Sequence, residues 1–343
     1  MKYFCDNVIL DNLSEFGICT GGHGSGKTHT LFHTKYLTET YNIPSKSVYI
    51  ENPCGLGGKG QFKEVYKYIL STSLGWEEIT KICLCSKEII FKIASEKIEK
   101  LPPEKRQEIN RDDTKKDELR ENIFKEIVGE TSPVSFRNFL DLTNGNIEIQ
   151  QELEKKPSHI ICAKVLATII KLATLRKIDG TPGRYGAFFI FVDQTEDIAK
   201  LGATIYLEQI VGWRTLIDEV EKSLGMLWAL DGSAEDIYGL LSDAIQRRQT
   251  IIPEKLRLLE FEENEAYSFI IDLLNYFREN NAKVNETYPF DKEAIREIII
   301  QSPSKAPSHL LTNFRAVFTK VARRDLIKST KDIITKDIVL QLL

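Results

Sequence analysis

The segment that most constrains the fold of this chain is Gly21-Gly22-His23-Gly24-Ser25-Gly26-Lys27-Thr28. It follows a short apolar run at residues 16–19 and precedes a helical pattern over residues 28–37. Four glycines allow a backbone to fold around an anion with its N–H groups pointing inward, while the helix that follows directs its positive end to the same place. The segment therefore predicts a phosphate-binding turn between the first strand and the first helix of an α/β sheet.

The spacing of this segment, G-x-x-x-x-G-K-T, matches the P-loop motif of nucleotide-binding proteins. In that motif Lys27 is expected to reach the β- and γ-phosphates, and the Thr28 hydroxyl is expected to bind Mg²⁺. The expected ligands are therefore ATP and Mg²⁺, whereas the alternative interpretation is a plain glycine-rich turn. The candidate nucleotide-binding residues are Gly21, Gly22, His23, Gly24, Ser25, Gly26, Lys27, Thr28 and His29.

Composition narrows the class of protein. Of the 343 residues, 42% are hydrophobic, which is enough for a large core in two domains or in one domain with an insertion. The formal charge of −4 gives no overall attraction to nucleic acid, so such a contact requires a local basic patch. Six cysteines without a C-x-x-C pair favour free thiols in a reducing cytoplasm. Because the sequence has neither a signal-peptide pattern nor an apolar run near ~20 residues, we expect a cytoplasmic protein without a membrane partner.

Apolar runs alternate with helical patterns along the core of the chain. A β-branched and aromatic run at 47–53 is followed, much later, by near-continuous apolar runs at 187–193 and 225–231. Such runs are typical of parallel strands that are covered on both faces. The alternation predicts an α/β P-loop NTPase fold, with a three-layer parallel sheet, helices on both faces and ligands at the carboxyl ends of the strands.

Two further segments are expected to be helical. Residues 86–158 carry long charged stretches with Ile and Phe at intervals, which predicts a helical insertion on the core. Its role is open between a partner-binding or DNA-touching arm and a solvated decoration. Residues 251–343 show helical patterns only and predict a C-terminal helical lid. The expected domains are thus a nucleotide-binding core at 1–250 and a lid at 251–343.

Polar residues follow the predicted strands at the edge where the loop also ends. Asp193 closes the apolar run 187–193 and is the expected second anchor for Mg²⁺, with a strand-capping Asp in a turn as the alternative. Asp231 and Ser233 follow the next strand. They are candidates for sensing the γ-phosphate or the attacking water, or for forming a turn.

Several residues compete for the role of polarising the attacking water. Glu196 lies shortly after the strand end, and Glu51 ends the neighbouring strand, so both carboxylates are candidates. Gln194 directly follows Asp193 and is able to orient a water without accepting its proton, which predicts slow turnover. Asn52 is expected either to hold the catalytic acid away from water or to form an Asn-Pro turn.

Cations that complete such sites usually come from a neighbouring subunit or from the lid. Arg247 and Arg248 are the first candidates for a finger supplied in trans and Arg214 is the second; the alternatives are a solvated helix end or structural salt bridges. The third lid helix carries a basic side that either contacts nucleic-acid phosphates or is merely solvated. Its members are Arg315, Lys320, Arg323 and Arg324.

Taken together, these segments resemble AAA+ ATPases. The resemblance is carried by the loop 21–28, the runs 48–52, 188–193 and 227–231, the pair Arg247-Arg248 and the segment 256–261. Within that family the arrangement is most similar to archaeal origin-recognition initiators, transposition regulators, phage-defence ATPases of the BREX type and signalling STAND ATPases. The resemblance implies an ATP hydrolase that forms a homo- or hetero-oligomer, with an arginine supplied in trans, and that assembles on DNA or on a partner protein.

Three features depart from the family's pattern. The usual Asp-Glu pair is Asp193-Gln194 here. The lid helix that often begins Pro-Arg in relatives reads Pro307-Ser308-His309, so the lid sensor arginine is missing or moved to Arg315. The winged-helix domain of the initiators has no counterpart up to Leu343, so sequence-specific DNA binding is not expected.

The leading hypothesis is an ATP-binding switch that hydrolyses ATP slowly. The runner-up is a nucleotide-binding scaffold whose ATP is structural and whose charged insertion recruits a protein partner. A kinase that uses the same loop is a third alternative, although no acceptor pocket is recognisable in the sequence. A measurable turnover separates the first hypothesis from the second.

Overall fold

The computed structural model describes residues 1–155, 158–232, 243–250, 256–277, 285–329 and 332–342. By their contacts these residues form two compact units. The first unit contains Met1–Thr20 and Thr28–Leu256, and the second contains Gly21–Lys27 and Arg257–Leu343. The boundary therefore falls a few residues after the division at 250 that the sequence suggests, and the phosphate-loop segment groups with the C-terminal unit.

A five-stranded parallel sheet confirms the α/β class. Along the chain its strands are β1 (Glu15–Gly21), β2 (Ser45–Ile50), β3 (Ala187–Val192), β4 (Leu224–Asp231) and β5 (Arg257–Leu258). Across the sheet they lie in the order β2-β3-β4-β1-β5. Every residue of β1 and β3 is buried, as are the first seven of β4. Burial on both faces is the physical reason for the near-continuous apolar sequences of β3 and β4.

β4 lies between β1 and β3, so the strand that ends before Asp193 does not adjoin the strand that leads into the loop. The register pairs Val192 of β3 with Trp228 of β4. Neighbouring strands are about 4.8 Å apart, so the ends of β1 and β3 are separated by roughly 10 Å. The backbone between β1 and Thr28 must therefore cross this distance for Thr28 to reach Asp193.

A helix precedes the first strand. Lys2–Ile9 is a helix that buries Phe4, Cys5, Val8 and Ile9. The ring of Phe4 packs against Phe189 of β3, with 5.9 Å between the ring centroids. The helix is thus a cover for one face of the sheet.

The remaining described helical segments of the first 256 residues lie between or after the strands, and most of them lie between β2 and β3. They are Lys27–Glu39, Leu56–Gly58, Phe62–Lys67, the π-helix Tyr68–Leu74, Trp76–Glu99, Pro103–Arg111, Asp113–Val128, Phe136–Thr143, Ile147–Glu154, His159–Ala173, Glu196–Ala199, Ala203–Glu219 and Asp243–Gln246.

The charged segment 86–158 is helical, but its expected start falls inside the continuous helix Trp76–Glu99. Ser86 is buried there, and its hydroxyl donates to the carbonyls of Ile82 and Leu172. Phe124 and Phe139, whose ring centroids lie 4.9 Å apart, belong to the same hydrophobic core as the strand residues. The segment therefore packs onto the core and is not a free-standing arm.

The C-terminal unit has a hydrophobic core of its own. Its helices are Glu263–Phe277, Lys292–Ile300, Pro307–Arg323 and Lys336–Leu342, which match the four helical patterns in the sequence. Leu310, Phe314, Val317 and Val321 form the buried stripe of the third helix. Within the described ranges of either unit, no helix combines the length and the apolar character needed to cross a lipid bilayer.

Candidate functional site

The glycine-rich loop is closed by its own lysine. Lys27 Nζ donates to the carbonyl oxygens of Gly21 and Gly22, each at 2.9 Å. Gly24 and Gly26 have φ values of +76° and +97°, which a residue with a Cβ rarely adopts. The Ser25 hydroxyl is buried without a hydrogen-bond partner in the described part of the chain. These features are those of a loop that is able to bind an anion.

The C-terminal unit supports this loop directly. The Ser308 N–H donates to the Gly24 carbonyl at 3.3 Å. A Cβ on Gly21 would lie 2.8 Å from the Leu258 carbonyl oxygen, so β5 also approaches the loop closely. Ser308 is the position at which the resemblance to AAA+ ATPases led us to expect an arginine. Arg315 lies seven residues, or about 10 Å, further along the same helix and lines an apolar groove of about 490 Å³.

Substitution of Gly24 by alanine is expected to lower the thermal midpoint by about 2–4 °C, because a left-handed non-glycine residue costs about 1–3 kcal/mol. The added Cβ would also lie 1.8 Å from Ser308 Oγ and 3.0 Å from Ser308 Cβ. Gly22→Ala is the matched control, since its Cβ would meet nothing within 4 Å and its φ is not positive. Thermal unfolding of both variants checks the expectation.

Two further variants separate strain from clash. Gly26→Ala carries the backbone strain alone, because its Cβ would meet nothing within 4 Å. We expect Gly24→Ala to be less stable than Gly26→Ala, and the difference to disappear when Ser308→Gly is added to both. Equal midpoints for Gly22→Ala and Gly24→Ala would contradict the described loop conformation.

The residues expected to hold Mg²⁺ lie side by side in the first unit. The Thr28 hydroxyl donates to Asp193 Oδ2 at 2.5 Å, although the two residues are 165 positions apart. Asp193 is only 4% exposed, and its Oδ1 accepts the N–H of Gln194 at 2.9 Å. A hydroxyl oxygen beside a carboxylate is a combination of the oxygen ligands that Mg²⁺ prefers.

Sequence reasoning missed Tyr49. Its hydroxyl donates to Asp193 Oδ2 at 3.0 Å, beside the bond from Thr28. Burial, followed by the neighbouring Asp193 carboxylate, raises the pKa of the Tyr49 phenol, so this group keeps its proton. A signal was present in the alternation of side chains, which places residues 49 and 51 on one side of the second strand, near its carboxyl end.

Asn52 forms a turn and also holds Gln194. Its Oδ1 accepts the N–H groups of Cys54 and Gly55, at 2.8 and 3.0 Å. Its Nδ2 donates to Gln194 Oε1 at 3.1 Å and to Asp197 Oδ2 at 2.8 Å. Because an amide nitrogen has two protons, these bonds use its donors fully. Asn52 therefore restrains Gln194 and Asp197 rather than either of the glutamates proposed as the catalytic acid.

The candidate acids occupy different environments. Glu196 begins a short helix, and its Oε2 accepts the N–H of Asp231, the last residue of β4, at 3.2 Å. Glu51 is exposed in the bend after β2. Gln194 is exposed and has a φ of +52°, a strained conformation that is common near functional sites. Ser233 lies outside the described residues.

The arginines proposed to act in trans differ from one another. Arg248 forms a bidentate ion pair with Asp218, with Nη2–Oδ2 at 2.9 Å, and Arg214 lies 3.5 Å from the same carboxylate. The Arg247 side chain is 78% exposed, with Asp243 at 3.9 Å. Of the adjacent pair, Arg248 is engaged within its own chain and Arg247 extends into solvent.

Basic residues on and just after the third C-terminal helix have contacts within their own unit. Lys320 donates to the Leu342 carbonyl, and Lys328 lies 3.7 Å from Asp325. Arg315 belongs to the wall of the apolar groove.

Clusters of metal ligands and similarities to known proteins give little further information on the site. The described residues contain no group of three or more His, Cys, Asp or Glu side chains that could hold a metal ion. This finding is compatible with Mg²⁺, which commonly binds through one or two carboxylates together with substrate phosphates. A search against models of known protein families finds none that matches the chain, and a search of curated proteins finds no significant match.

Proposed function

We propose that this protein is a P-loop nucleotide-binding protein of the AAA+ type that binds ATP with Mg²⁺ and hydrolyses it slowly. The observation that carries the proposal is the hydrogen bond between Thr28 and Asp193. A glycine-rich loop can match a motif by chance. A chance match gives no reason for a buried carboxylate from a distant strand to lie on the threonine of the motif.

Each residue of the site has a definite part in this proposal. The loop N–H groups and Lys27 bind the phosphates, since both are donors and the ammonium carries the complementary charge. Thr28 and Asp193 would hold Mg²⁺, because the lone pairs of the Thr28 hydroxyl oxygen are able to face a cation while its O–H still donates to the Asp193 carboxylate. The bound metal ion neutralises negative charge on the phosphates.

Slow hydrolysis follows from the residues that face the strand ends. Gln194, held by Asn52, is able to orient a water but not to take its proton. Glu196 is the remaining nearby carboxylate that we assign as a base, and its Oε2 accepts a backbone N–H from β4. ADP and inorganic phosphate are the proposed products.

Two observations support the assembly of several subunits, namely the resemblance of the sequence to AAA+ ATPases and the exposure of the Arg247 side chain. We propose that Arg247 reaches the site of a neighbouring subunit and that the ATP-bound form assembles on DNA or on a partner protein. Light scattering with ADP, with a non-hydrolysable ATP analogue and then with added duplex DNA tests this. An increase in particle size with the analogue alone supports ATP-gated assembly. An increase only after DNA is added identifies DNA as the surface on which the protein assembles, and an unchanged particle size argues against both.

Asp193→Asn is expected to raise the Mg²⁺ concentration for half-maximal ATP binding about thirtyfold, because it removes the negative charge but keeps the shape of the side chain. A titration of Mg²⁺ at fixed ATP, followed by calorimetry or by a fluorescent ATP analogue, measures this. Asp197→Asn is the matched control, since Asp197 is bound by Asn52 and Lys200 rather than by Thr28. Equal effects of the two substitutions would remove Asp193 from the site.

The scaffold alternative retains one supporting observation, the glutamine at position 194. Phosphate release from ATP decides between the two functions. A turnover that disappears in Asp193→Asn supports the switch, while tight binding without turnover supports a structural nucleotide. The absence of saturable ATP binding would exclude both.

A further inference from the structure

The geometry around Asp193 points to Tyr49 as a positioning residue for the Mg²⁺ site. We propose that the Tyr49 hydroxyl holds the Asp193 carboxylate in the orientation in which it binds the metal ion together with Thr28. This inference rests on the proposed ATP and Mg²⁺ binding, and it adds a residue that no part of the P-loop motif contains.

The first step of the argument is the set of bonds that Asp193 accepts. Its Oδ1 receives the N–H of Gln194, and its Oδ2 receives both the Thr28 and the Tyr49 hydroxyls. The terminal torsion of an aspartate is broad, so an unrestrained carboxylate rotates freely. Donors on both oxygens fix that rotation. The Tyr49 hydroxyl restrains Oδ2 from a second element, β2, independently of Thr28, which is itself a proposed metal ligand.

The second step is the rigidity of Tyr49 itself. It lies in β2, where it pairs with Phe191 of β3, and its carbonyl accepts the Tyr68 hydroxyl at 3.2 Å. Its ring stacks on Phe32, with 4.6 Å between the centroids and 29° between the planes. Backbone and ring are therefore both held, which gives the hydroxyl a defined position.

The third step is a closed ring of contacts. Thr28 and Phe32 are one turn apart on the helix Lys27–Glu39, so they lie on the same side of it. Phe32 stacks on Tyr49, Tyr49 bonds to Asp193, and Asp193 bonds to Thr28. The ring ties the first turns of this helix to the end of β3 across the intervening strand. Residues that hydrogen-bond to a metal ligand generally fix the orientation of that ligand, and this set of contacts would fix the Asp193 carboxylate in the same way.

Tyr49→Phe tests the inference, because it removes the hydroxyl and keeps the ring that stacks on Phe32. We expect the Mg²⁺ concentration for half-maximal ATP binding to rise about tenfold, with ATP affinity in metal-free buffer unchanged. The matched control is Tyr41→Phe. Tyr41 donates to Asp6 at 2.6 Å in the same unit, so this control also loses one tyrosine–aspartate hydrogen bond.

The outcomes separate this inference from the proposed function. Absence of Mg²⁺-dependent ATP binding in the unmodified protein overturns the proposed function itself. Normal binding there, with an unchanged Mg²⁺ requirement in Tyr49→Phe, overturns only the role of Tyr49. Equal losses with and without Mg²⁺, or equal effects of Tyr41→Phe, also overturn it. If Tyr49→Phe does not fold, Phe32→Leu keeps the hydroxyl but removes the stack; a raised Mg²⁺ requirement supports the inference, and an unchanged one overturns it.

Discussion

Lys27→Ala is expected to weaken ATP binding at least about 100-fold, because a charge-assisted hydrogen bond contributes about 1.5–3 kcal/mol and the ammonium supplies the charge. Lys27 is also the first residue of the helix Lys27–Glu39, and its Nζ lies over the carbonyl oxygens of Gly21 and Gly22. An incoming phosphate would therefore meet this ammonium at the loop. Calorimetry with Mg²⁺ and ATP measures the loss.

The control for this prediction removes the same charge from the same helix. Lys35→Ala leaves the loop intact and should bind ATP as the unmodified protein does. Thermal unfolding of Lys27→Ala is needed beside it, since the substitution also deletes two hydrogen bonds within the loop. Unchanged ATP affinity in a folded Lys27→Ala protein would show that the loop is not the nucleotide site.

Gln194→Glu is expected to increase ATP turnover about 100-fold, since a positioned general base typically contributes 10²–10⁴-fold and an amide cannot act as one. Glutamine and glutamate have side chains of the same shape. The backbone strain at residue 194, where φ is +52°, is therefore the same in the variant and in the unmodified protein. Asn52 Nδ2, which now donates to Gln194 Oε1, is able to donate equally to a carboxylate at that place. Steady-state phosphate release at saturating ATP measures the gain.

Glu196→Gln distinguishes the two possible bases. A glutamine at position 196 is still able to accept the N–H of Asp231 through its amide oxygen, so the contact with β4 survives while the base is lost. If Glu196 is the base of the slow reaction, this variant loses turnover and the double variant with Gln194→Glu regains it. If Gln194→Glu binds ATP normally but gains no turnover, the water does not lie beside residue 194.

The sequence predicted those strands best whose burial on both faces requires a continuous run of apolar residues. β3 and β4 are buried along almost their whole length, so nearly every residue is apolar and the run stands out; β1 is equally buried but has only the short apolar run 16–19. β5 has only two residues, which is too short for any periodicity. The helix Lys2–Ile9 was missed because it is short and carries Asp6 and Asn7 among its apolar residues, although its apolar spacing does follow a helical period.

The candidate site also contains features that a local sequence pattern predicts and features that depend on the pairing of distant strands. The loop is a local motif and could be predicted, as could an aspartate at a strand end. The contact of Tyr49 with Asp193 depends on the alignment of β2 with β3, and no local pattern determines that alignment. The same holds for Asn52 and Gln194, which are 142 residues apart and meet only because both follow neighbouring strands. Tertiary pairing, rather than propensity, fixes these partners.

The loop owes its support to residues that a motif search would never include. Gly21 lies against Leu258, and Gly24 against Ser308, all within the C-terminal unit. A fragment that ended at Leu256 would keep the entire glycine-rich signature and Asp193, yet it would leave the loop without its backbone neighbours. Such a fragment would still match the nucleotide-binding motif by its sequence, although the loop proposed to bind the phosphates would lack the residues that support its conformation.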